Sequence, residues 1–223
     1  MNHMMLIPDG DRRYAKKAKI SNFEAYNKAA KVVRNLVEWI LVDNDVTEFT
    51  FFGLSYNNIV KRKDEDLKPI LKVQTNALND FAKDKLFHDN KIRVLVHGQK
   101  HLLPKDYLEA VCNVESETAK YTNKTFNLLL GYSGERDLEI AIEKTISQNK
   151  KISFENILSN CNIKRPIDFV VRTANENRLS DGPFYLTKYT EFCSIPAFFP
   201  ELTKKDITNT IEEYNNRKRT FGV

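Results

Sequence analysis

Residues 4–17 read M-M-L-I-P-D-G-D-R-R-Y-A-K-K, and this stretch decides the fold. A short apolar run ends at Pro8, an acid and a glycine follow, and two arginines open a polar segment with helical spacing. The pattern predicts a strand, a tight turn and the start of a helix. Because strands and helical segments continue to alternate along the chain, crossover connections are expected, and with them an α/β fold whose mostly parallel sheet has helices on both faces.

The turn after this first strand has the composition of a phosphate site. Gly10 allows the backbone to approach a ligand, the amides of a helix N-terminus favour an anion, and Arg12 and Arg13 supply fixed positive charge. Asp9 would repel a phosphate unless a divalent cation lay between them, so Asp9 is predicted to be a magnesium ligand. The alternative is an ordinary Asp-Gly turn beside solvated arginines.

Length and composition set wider bounds. The 223 residues, 41% of them hydrophobic, predict one domain over residues 1–223. A net charge of +5, carried by dispersed lysines, favours anionic ligands and argues against a nucleic-acid surface. The three cysteines have no paired spacing, which indicates a reducing compartment and no zinc site. Without a membrane-spanning run or a signal peptide, a cytoplasmic protein with at most peripheral membrane association is expected.

Periodicity locates the elements that carry the candidate site. Strands are predicted over residues 4–8, 46–54, 92–96, 125–131 and 167–171, and helices over 67–87, 104–119, 134–146, 184–192 and 204–215, with a loop over 55–63. Ligands of parallel sheets bind outside the carboxyl ends of the strands. Asp9, Ser55, Asn58, Tyr132 and Arg172 all follow such ends, so we expect them at one edge.

Three separated motifs resemble those of the cis-prenyltransferases, the undecaprenyl diphosphate synthase family. The family's H-x-x-x-I-x-D-G-N-x-R-W-A is matched by His3, Ile7, Asp9, Gly10, Asp11, Arg13, Tyr14 and Ala15, with Asp11 in place of Asn and Tyr14 in place of Trp. Residues 172–180 (R-T-A-N-E-N-R-L-S) resemble R-T-G-G-E-x-R-x-S. Glu191-Phe192 with Phe199-Pro200, and Arg217, Arg219, Phe221 and Gly222, resemble the later E-L/F…W-P and the terminal R-x-R-x-F-G. The resemblance therefore spans nearly the whole chain, in the family's order.

The resemblance implies a prenyl diphosphate synthase that condenses an allylic diphosphate with isopentenyl diphosphate and releases pyrophosphate. It implies Mg²⁺ held by Asp9, with Glu191 as a second metal ligand. Gly10, Arg12 and Arg13 are implied to line the allylic diphosphate, and Asp11, Tyr14 and Tyr26 are further substrate-binding residues by their place in or near the motif. The diphosphate of the second substrate is implied to bind Arg172, Arg178 and Ser180. Arginine suits this role because its planar guanidinium can donate to two phosphate oxygens at once. A homodimer is also implied, in which Arg219 and Gly222 of one chain reach the site of the other.

The segment after the second strand, L-S-Y-N-N-I-V-K over residues 54–61, resembles the family's F-S-x-E-N-W-x-R. It keeps Ser55 and Asn58, and Lys61 stands at the place of the arginine. The family's Asn is proposed to help remove the proton. Because an amide is a poor base, pyrophosphate or a water relayed through Asn58 is the preferred acceptor. A helix-cap or turn role for Asn58 stays open.

Departures from the family pattern bear on the product. Tyr26 lies near the place of a family His, and Ile59 replaces the Trp. These changes are similar to those of lavandulyl and cyclolavandulyl diphosphate synthases, which join two five-carbon units head to middle and so use dimethylallyl diphosphate. A short or irregular product is therefore expected. A non-catalytic partner subunit of the same fold and a generic phosphate-binding module are the competing interpretations, whereas a trans-prenyl synthase would be all-helical.

Overall fold

The computed structural model describes residues 1–219 and contains one six-stranded sheet in which all the strands are parallel. Its strands are β1 (His3–Ile7), β2 (Glu48–Ser55), β3 (Ile92–His97), β4 (Lys124–Tyr132), β5 (Phe169–Arg172) and β6 (Glu191–Ser194), in the spatial order β3-β4-β2-β1-β5-β6. Its α-helices are α1 (Asp11–Ala18), α2 (Asn22–Val37), α3 (Tyr56–Lys61), α4 (Asp64–Phe81), α5 (Lys85–Asp89), α6 (Lys105–Thr118), α7 (Gly134–Ser147), α8 (Phe154–Asn160) and α9 (Lys204–Asn216). The predicted α/β fold is confirmed.

The first strand lies between β2 and β5 and is buried along its whole length. Its side chains alternate between two cores, as the twofold periodicity of a strand requires. Met4 and Leu6 point into the larger core, which α2, α4 and α6 cover, and Met5 and Ile7 point into a smaller core on the opposite face. Pro8 then ends the strand and delivers Asp9 to the carboxyl edge of the sheet.

Helix α2 begins in a capping box, in which Ser21 Oγ accepts from the Glu24 N–H and the Glu24 carboxylate accepts from the Ser21 N–H. This box satisfies amides that would otherwise lack partners at the helix start. The helix continues into a π-helical turn, Glu38–Val42. Together α2 and α4 close one side of the space in front of β2 and β4.

Three sequence-based assignments were wrong. Residues 55–63, predicted as a loop, contain α3, whose first turn is capped by Ser55 Oγ accepting from the Asn58 N–H at 3.1 Å. Residues 67–87, predicted as one helix, form α4 and α5, because Asp84 caps a new helix start. Residues 184–192, predicted as a helix, form only the 3₁₀ turn Phe184–Leu186 before β6 begins at Glu191. Within residues 1–219 no helix is both long and apolar enough to cross a membrane.

Candidate active site

A cavity of about 510 Å³ opens at the carboxyl edge of the sheet. Its polar part is built by the segments that follow β1, β2 and β5, and the rest of its wall is mostly apolar, supplied by α2, α4, β2 and β4. Eleven of the predicted site residues line it: Asp9, Gly10, Asp11, Arg12, Arg13, Tyr26, Ser55, Asn58, Arg172, Arg178 and Ser180. Of the residues expected at one edge, Asp9, Ser55, Asn58 and Arg172 meet there, whereas Tyr132 packs in the smaller core on the other face, where its hydroxyl donates to Asp137.

Asp9 lies at the centre of a group of arginines. Its Oδ2 accepts from Arg172 Nη2 at 2.9 Å and lies 3.7 Å from Arg178 Nη2, and its Oδ1 accepts from Arg13 Nη2 at 3.0 Å. Burial raises the pKa of the Asp9 carboxyl, but the hydrogen bonds from Arg172 and Arg13 outweigh burial and leave this pKa below its ordinary value. Asp9 is therefore an anion held among cations.

The backbone around Asp9 is fixed from the neighbouring strand. The Asp9 N–H donates to Thr173 Oγ1 at 2.7 Å, and the Thr173 hydroxyl donates to the Asp9 carbonyl at 2.8 Å. Gly10 follows with φ 101°, and a Cβ there would lie 2.7 Å from Phe198 Cδ1. Only glycine fits this conformation and this space without strain.

Helix α1 starts at this turn without a side-chain cap. Its first amides therefore have no intrahelical or capping partner and can donate to an anion, aided by the helix dipole. Arg12 and Arg13 line the cavity beside these amides, and Arg13 also pairs with Glu176 at 3.0 Å. The residues from which the sequence predicts a phosphate site therefore lie together at this turn.

Asp11, the next acid, is in a different state from Asp9. Its Oδ1 is buried and has no hydrogen-bond partner. Burial, reinforced by the negative charge of Asp9 and opposed by Arg62, raises the pKa of the Asp11 carboxyl to about 6. The two carboxylates of the cavity wall thus differ in their partners, since arginines surround Asp9 and none makes an ion pair with Asp11 in the described part of the chain.

Arg172 joins the two halves of the site. Its side chain is 5% exposed, and Nη1 donates to the Arg178 carbonyl at 2.6 Å and to Ser180 Oγ at 2.7 Å. Arg178, by contrast, is 60% exposed and pairs closely with Glu176. The loop between them contains Ala174 and Asn175 at φ 65° and 57°, where the resembled motif has two glycines. A buried and an exposed arginine therefore face the same space.

The wall opposite Arg172 comes from β2 and α3. Ser55 and Asn58 line the cavity, as predicted, and Asn58 Oδ1 accepts from Arg62 Nη2 at 3.2 Å. Arg62 itself lines the cavity, whereas Lys61 is exposed and does not. Sequence reasoning assigned Lys61 by alignment to the motif and missed Arg62, one residue later. A shift of one position turns a helical side chain by about 100° and so changes the face that it occupies.

Three other predicted site residues do not line the cavity. Tyr14 is buried with Ala15 and Ala25, and its hydroxyl accepts from Lys28 Nζ at 2.6 Å. Arg219 donates to the Tyr214 carbonyl at 2.6 Å, at the end of the chain's last helix. Glu191, at the start of β6, is the third, and Gly222 lies outside the described residues. The direct substrate contact predicted for Tyr14 is replaced by a packing role against α2.

Glu191 begins β6 and is paired with Arg217 at 2.8 Å. In the sheet register it lies beside Phe169, which lies beside Met4, so Glu191 is at the amino edge. Asp9 follows Met4 by five residue steps, which amounts to roughly 16 Å along the strand direction. A single chain therefore does not bring Glu191 and Asp9 together as ligands of one metal. Among the described residues, no group of three or more His, Cys, Asp or Glu side chains could hold a metal ion.

Comparisons with known sequences agree over the full length. Residues 7–222 match the model of the family described as "Putative undecaprenyl diphosphate synthase". A geranylgeranyl-diphosphate-specific tritrans,polycis-undecaprenyl-diphosphate synthase from Pyrobaculum aerophilum is 37% identical over 227 residues, covering 99% of this chain and 95% of its own. A synthase of the same description from Picrophilus torridus is 34% identical, covering 99% and 89%.

Solved structures show the same fold at lower sequence identity. Lavandulyl diphosphate synthase from Lavandula x intermedia, in complex with dimethylallyl diphosphate, superimposes with a TM-score of 0.90 at 20% identity, covering 100% of this chain and 98% of its own. A probable undecaprenyl diphosphate synthase from Campylobacter jejuni gives 0.85 at 23% identity, covering 100% and 99%. The architecture of the chain is therefore that of these proteins throughout.

Proposed function

Because this chain belongs to the undecaprenyl diphosphate synthase family, we propose that its cavity joins an allylic diphosphate to a five-carbon isoprenoid diphosphate. As a prenyltransferase, the protein catalyses cleavage of the allylic C–O bond and formation of a C–C bond, with loss of pyrophosphate and a proton. The supporting observation is a cationic edge continuous with an apolar chamber. Diphosphates need the cationic edge, and a prenyl chain needs the apolar chamber.

The allylic diphosphate is proposed to lie at the start of α1. There the uncapped amides and the side chains of Arg12 and Arg13 can donate to its oxygens. Charge develops on these oxygens as the C–O bond breaks, so donors fixed in advance lower the barrier to ionisation. Arg62 adds a further cation on the opposite wall.

The diphosphate of the second substrate is proposed to bind Arg172, Arg178 and Ser180. Arg172 is buried and oriented by three hydrogen bonds, so its guanidinium is held before the substrate arrives. Exposed Arg178 can change partners at little cost, because exposed ion pairs are worth about 0 to 1 kcal/mol.

Asp9 and Asp11 are the residues that would hold Mg²⁺. The fit is supported by their oxygen donors at one edge of the cavity and by the buried Asp11 Oδ1, which has no other partner. When bound, this ion would neutralise charge on the departing pyrophosphate. With two carboxylates, the protein leaves the remaining coordination positions to substrate oxygens and water, which is usual for Mg²⁺.

The proton acceptor is proposed to be pyrophosphate or a water molecule held by Asn58. Its side-chain oxygen already accepts from Arg62, and an amide has little basicity. Asn58 therefore orients the acceptor and does not itself take the proton.

A short product is proposed, because about 510 Å³ is the volume of a small-molecule site. The test is incubation of labelled isopentenyl diphosphate with dimethylallyl, geranyl, farnesyl and geranylgeranyl diphosphates, with and without Mg²⁺, resolving the products by length and branching. Mg²⁺-dependent short products are expected. A product of many isoprene units would refute the short product while leaving the condensation intact. A branched product from dimethylallyl diphosphate alone would identify head-to-middle joining. Absence of turnover with every primer would instead favour a non-catalytic subunit.

A homodimer is also proposed. Large apolar side chains are exposed on α7 and α8 and between them, namely Ile142, Ile146, Ile152 and Phe154. Such a group commonly marks a protein contact. Arg219 and Glu191 lie away from the cavity of their own chain, so any role in catalysis would be in the cavity of a partner chain. Sedimentation should show a dimer, and deletion of residues 219–223 should lower turnover about tenfold in a folded protein. A monomer, or unchanged kinetics, would defeat this proposal.

A further inference from the structure

The segment after β5 carries two of the residues proposed to bind the second diphosphate, yet little of it is regular structure. Residues 176–179 form neither helix nor strand, and Arg178 and Ser180 are both exposed. The Ala174 N–H donates to the Ala197 carbonyl at 2.8 Å, which fixes the start of the segment. The position of its end therefore depends on other contacts.

Asp181, the residue after Ser180, makes such contacts with the start of α7. Its Oδ1 accepts from the Gly134 N–H at 2.9 Å and from the Glu135 N–H at 3.3 Å, and its carbonyl accepts from the Gly134 N–H at 3.0 Å. The first amides of a helix have no intrahelical acceptors, and the helix dipole favours a carboxylate beside them. Asp181 thus joins the end of the segment to a helix of 14 residues.

Two neighbouring contacts make this junction close. A Cβ on Gly134 would lie 2.1 Å from the carbonyl oxygen of Gly182, so the two backbones touch without room for a side chain. Further along, the Tyr185 hydroxyl donates to the buried Asp137 of α7 at 2.6 Å. The first turn of α7 therefore holds residues 181–185 as a unit.

From Asp181 this restraint reaches the cavity through one peptide bond. Ser180 has φ 55°, in the left-handed region, and its Oγ accepts from Arg172 Nη1 at 2.7 Å. Residues other than glycine seldom adopt this conformation, and it persists where contacts on both sides fix it. Here the contacts are those of Arg172 on one side and of Asp181 on the other. Asp181 itself does not line the cavity.

We propose that Asp181 is a positioning residue for the diphosphate of the second substrate. By fastening the segment to α7, it keeps Ser180 and Arg178 facing the cavity. This assignment rests on the proposed function, which places that diphosphate here. The Asp181 carboxylate accepts from the amides of α7 and does not touch the substrate, so it supports binding although its charge has the same sign as the diphosphate.

A positioning role can be separated from two simpler roles. If the charge of Asp181 were its only effect, Asp181→Ala and Asp181→Asn would both bind the diphosphate more tightly, because a repulsion would be removed. If Asp181 only capped α7, Asp181→Ala would lower stability and leave affinities unchanged. Positioning predicts weaker binding in Asp181→Ala and near-normal binding in Asp181→Asn, which keeps Oδ1 as an acceptor.

The experiment compares wild type, both variants and Asp84→Ala. Asp84 caps α5 by accepting from the Leu86 N–H at 2.9 Å, so this control removes an equal charge and a helix cap away from the cavity wall. Calorimetry measures the affinities for isopentenyl diphosphate and for geranyl diphosphate separately. Hydrogen exchange over residues 173–182, followed by mass spectrometry, measures opening of the segment without substrate, and circular dichroism establishes folding.

Asp181→Ala is expected to weaken binding of isopentenyl diphosphate about tenfold, a loss within the roughly hundredfold that misplacing a positioned group by about 1 Å can cause. Exchange over residues 173–182 should become faster, whereas the affinity for geranyl diphosphate should not change. Asp181→Asn and Asp84→Ala should match wild type in these readouts. If the alanine variant does not fold, Asp181→Glu, which shifts the carboxylate by one methylene group, takes its place with the same expected directions.

Unchanged or tighter binding of isopentenyl diphosphate in the folded variant would overturn the proposal, and so would equal losses for the two diphosphates. A wild type that binds no isopentenyl diphosphate would instead refute the proposed function. In that case the exchange comparison still tests the anchoring, because equal exchange in wild type and Asp181→Ala would show that Asp181 does not hold the segment.

Discussion

Replacement of Arg172 by lysine tests how the site is held together. The guanidinium makes three hydrogen bonds through two nitrogens, to the Arg178 carbonyl, to Ser180 Oγ and to Asp9 Oδ2. Lysine keeps the charge, but its single nitrogen lies one bond short of both positions, so it cannot serve the partners of both nitrogens and at least one of the three bonds is lost. A hydrogen bond to a charged group contributes about 1.5 to 3 kcal/mol, so destabilisation by at least about 1.5 kcal/mol is predicted.

The matched variant is Arg178→Lys. Arg178 is 60% exposed, and its partners are side chains that water can replace. Its substitution should change the free energy of unfolding by about 0 to 1 kcal/mol. Both variants should nevertheless weaken binding of isopentenyl diphosphate by one to two powers of ten, which corresponds to roughly 1.4 to 3 kcal/mol, because both lose the arginine fork.

Urea unfolding followed by Trp39 fluorescence and circular dichroism gives the stabilities, and calorimetry with isopentenyl diphosphate gives the affinities. An Arg172→Lys protein within about 0.5 kcal/mol of wild type would refute the argument that this arginine fixes the loop after β5. Unchanged affinity in both variants would show that the diphosphate binds elsewhere, and loss of affinity for the allylic substrate alone would mean that the two diphosphate sites are reversed.

Three further results are expected. Asp9→Ala should abolish Mg²⁺-dependent turnover in a protein that is folded by circular dichroism, and wild-type rates in that variant would contradict its role. Gly10→Ala should destabilise the protein by at least about 1 kcal/mol, measured by urea unfolding, because φ is 101° and the new Cβ would meet Phe198. Burial lowers the pKa of His3 below 6.5 in the folded protein. As the pH drops through 6.5, the unfolded chain therefore binds a proton at His3 that the folded chain does not, and the free energy of unfolding falls. Relative to His3→Gln, wild type should therefore lose up to about 1.4 kcal/mol per pH unit below pH 6.5, and parallel pH profiles would exclude this contribution.

The central strands could be predicted because their sequence signals are redundant. β1 and β2 combine apolar runs with turn residues at the right place, and their burial on both faces removes any need for alternation. Asp9, Ser55 and Arg172 then follow strand ends, and the topology of a parallel sheet brings those ends to one edge. The position of the candidate site thus follows from the alternation of strands and helices along the chain, which is clear in the sequence.

The parts that could not be predicted carry weak local signals. β6 is a four-residue edge strand in which every residue is only partly buried, so neither periodicity nor hydrophobicity marks it. α3 buries no residue and is recognisable chiefly from the Ser55 cap. Which of Lys61 and Arg62 faces the cavity depends on the phase of α3 relative to β2, a property of packing that no residue in the segment encodes alone.

The same packing explains how so many cations coexist before a substrate arrives. Five arginines line the described cavity against two aspartates, an excess of three positive charges. Asp9 neutralises part of this charge and holds Arg13 and Arg172 at 3.0 and 2.9 Å. Under the proposed function, each diphosphate would take one of these arginines from the Asp9 oxygens, so that an ion pair within the chain is exchanged for one with a substrate. Because this exchange frees the Asp9 carboxylate only when diphosphate oxygens are present, occupancy of the diphosphate sites would be coupled to the availability of Asp9 for Mg²⁺.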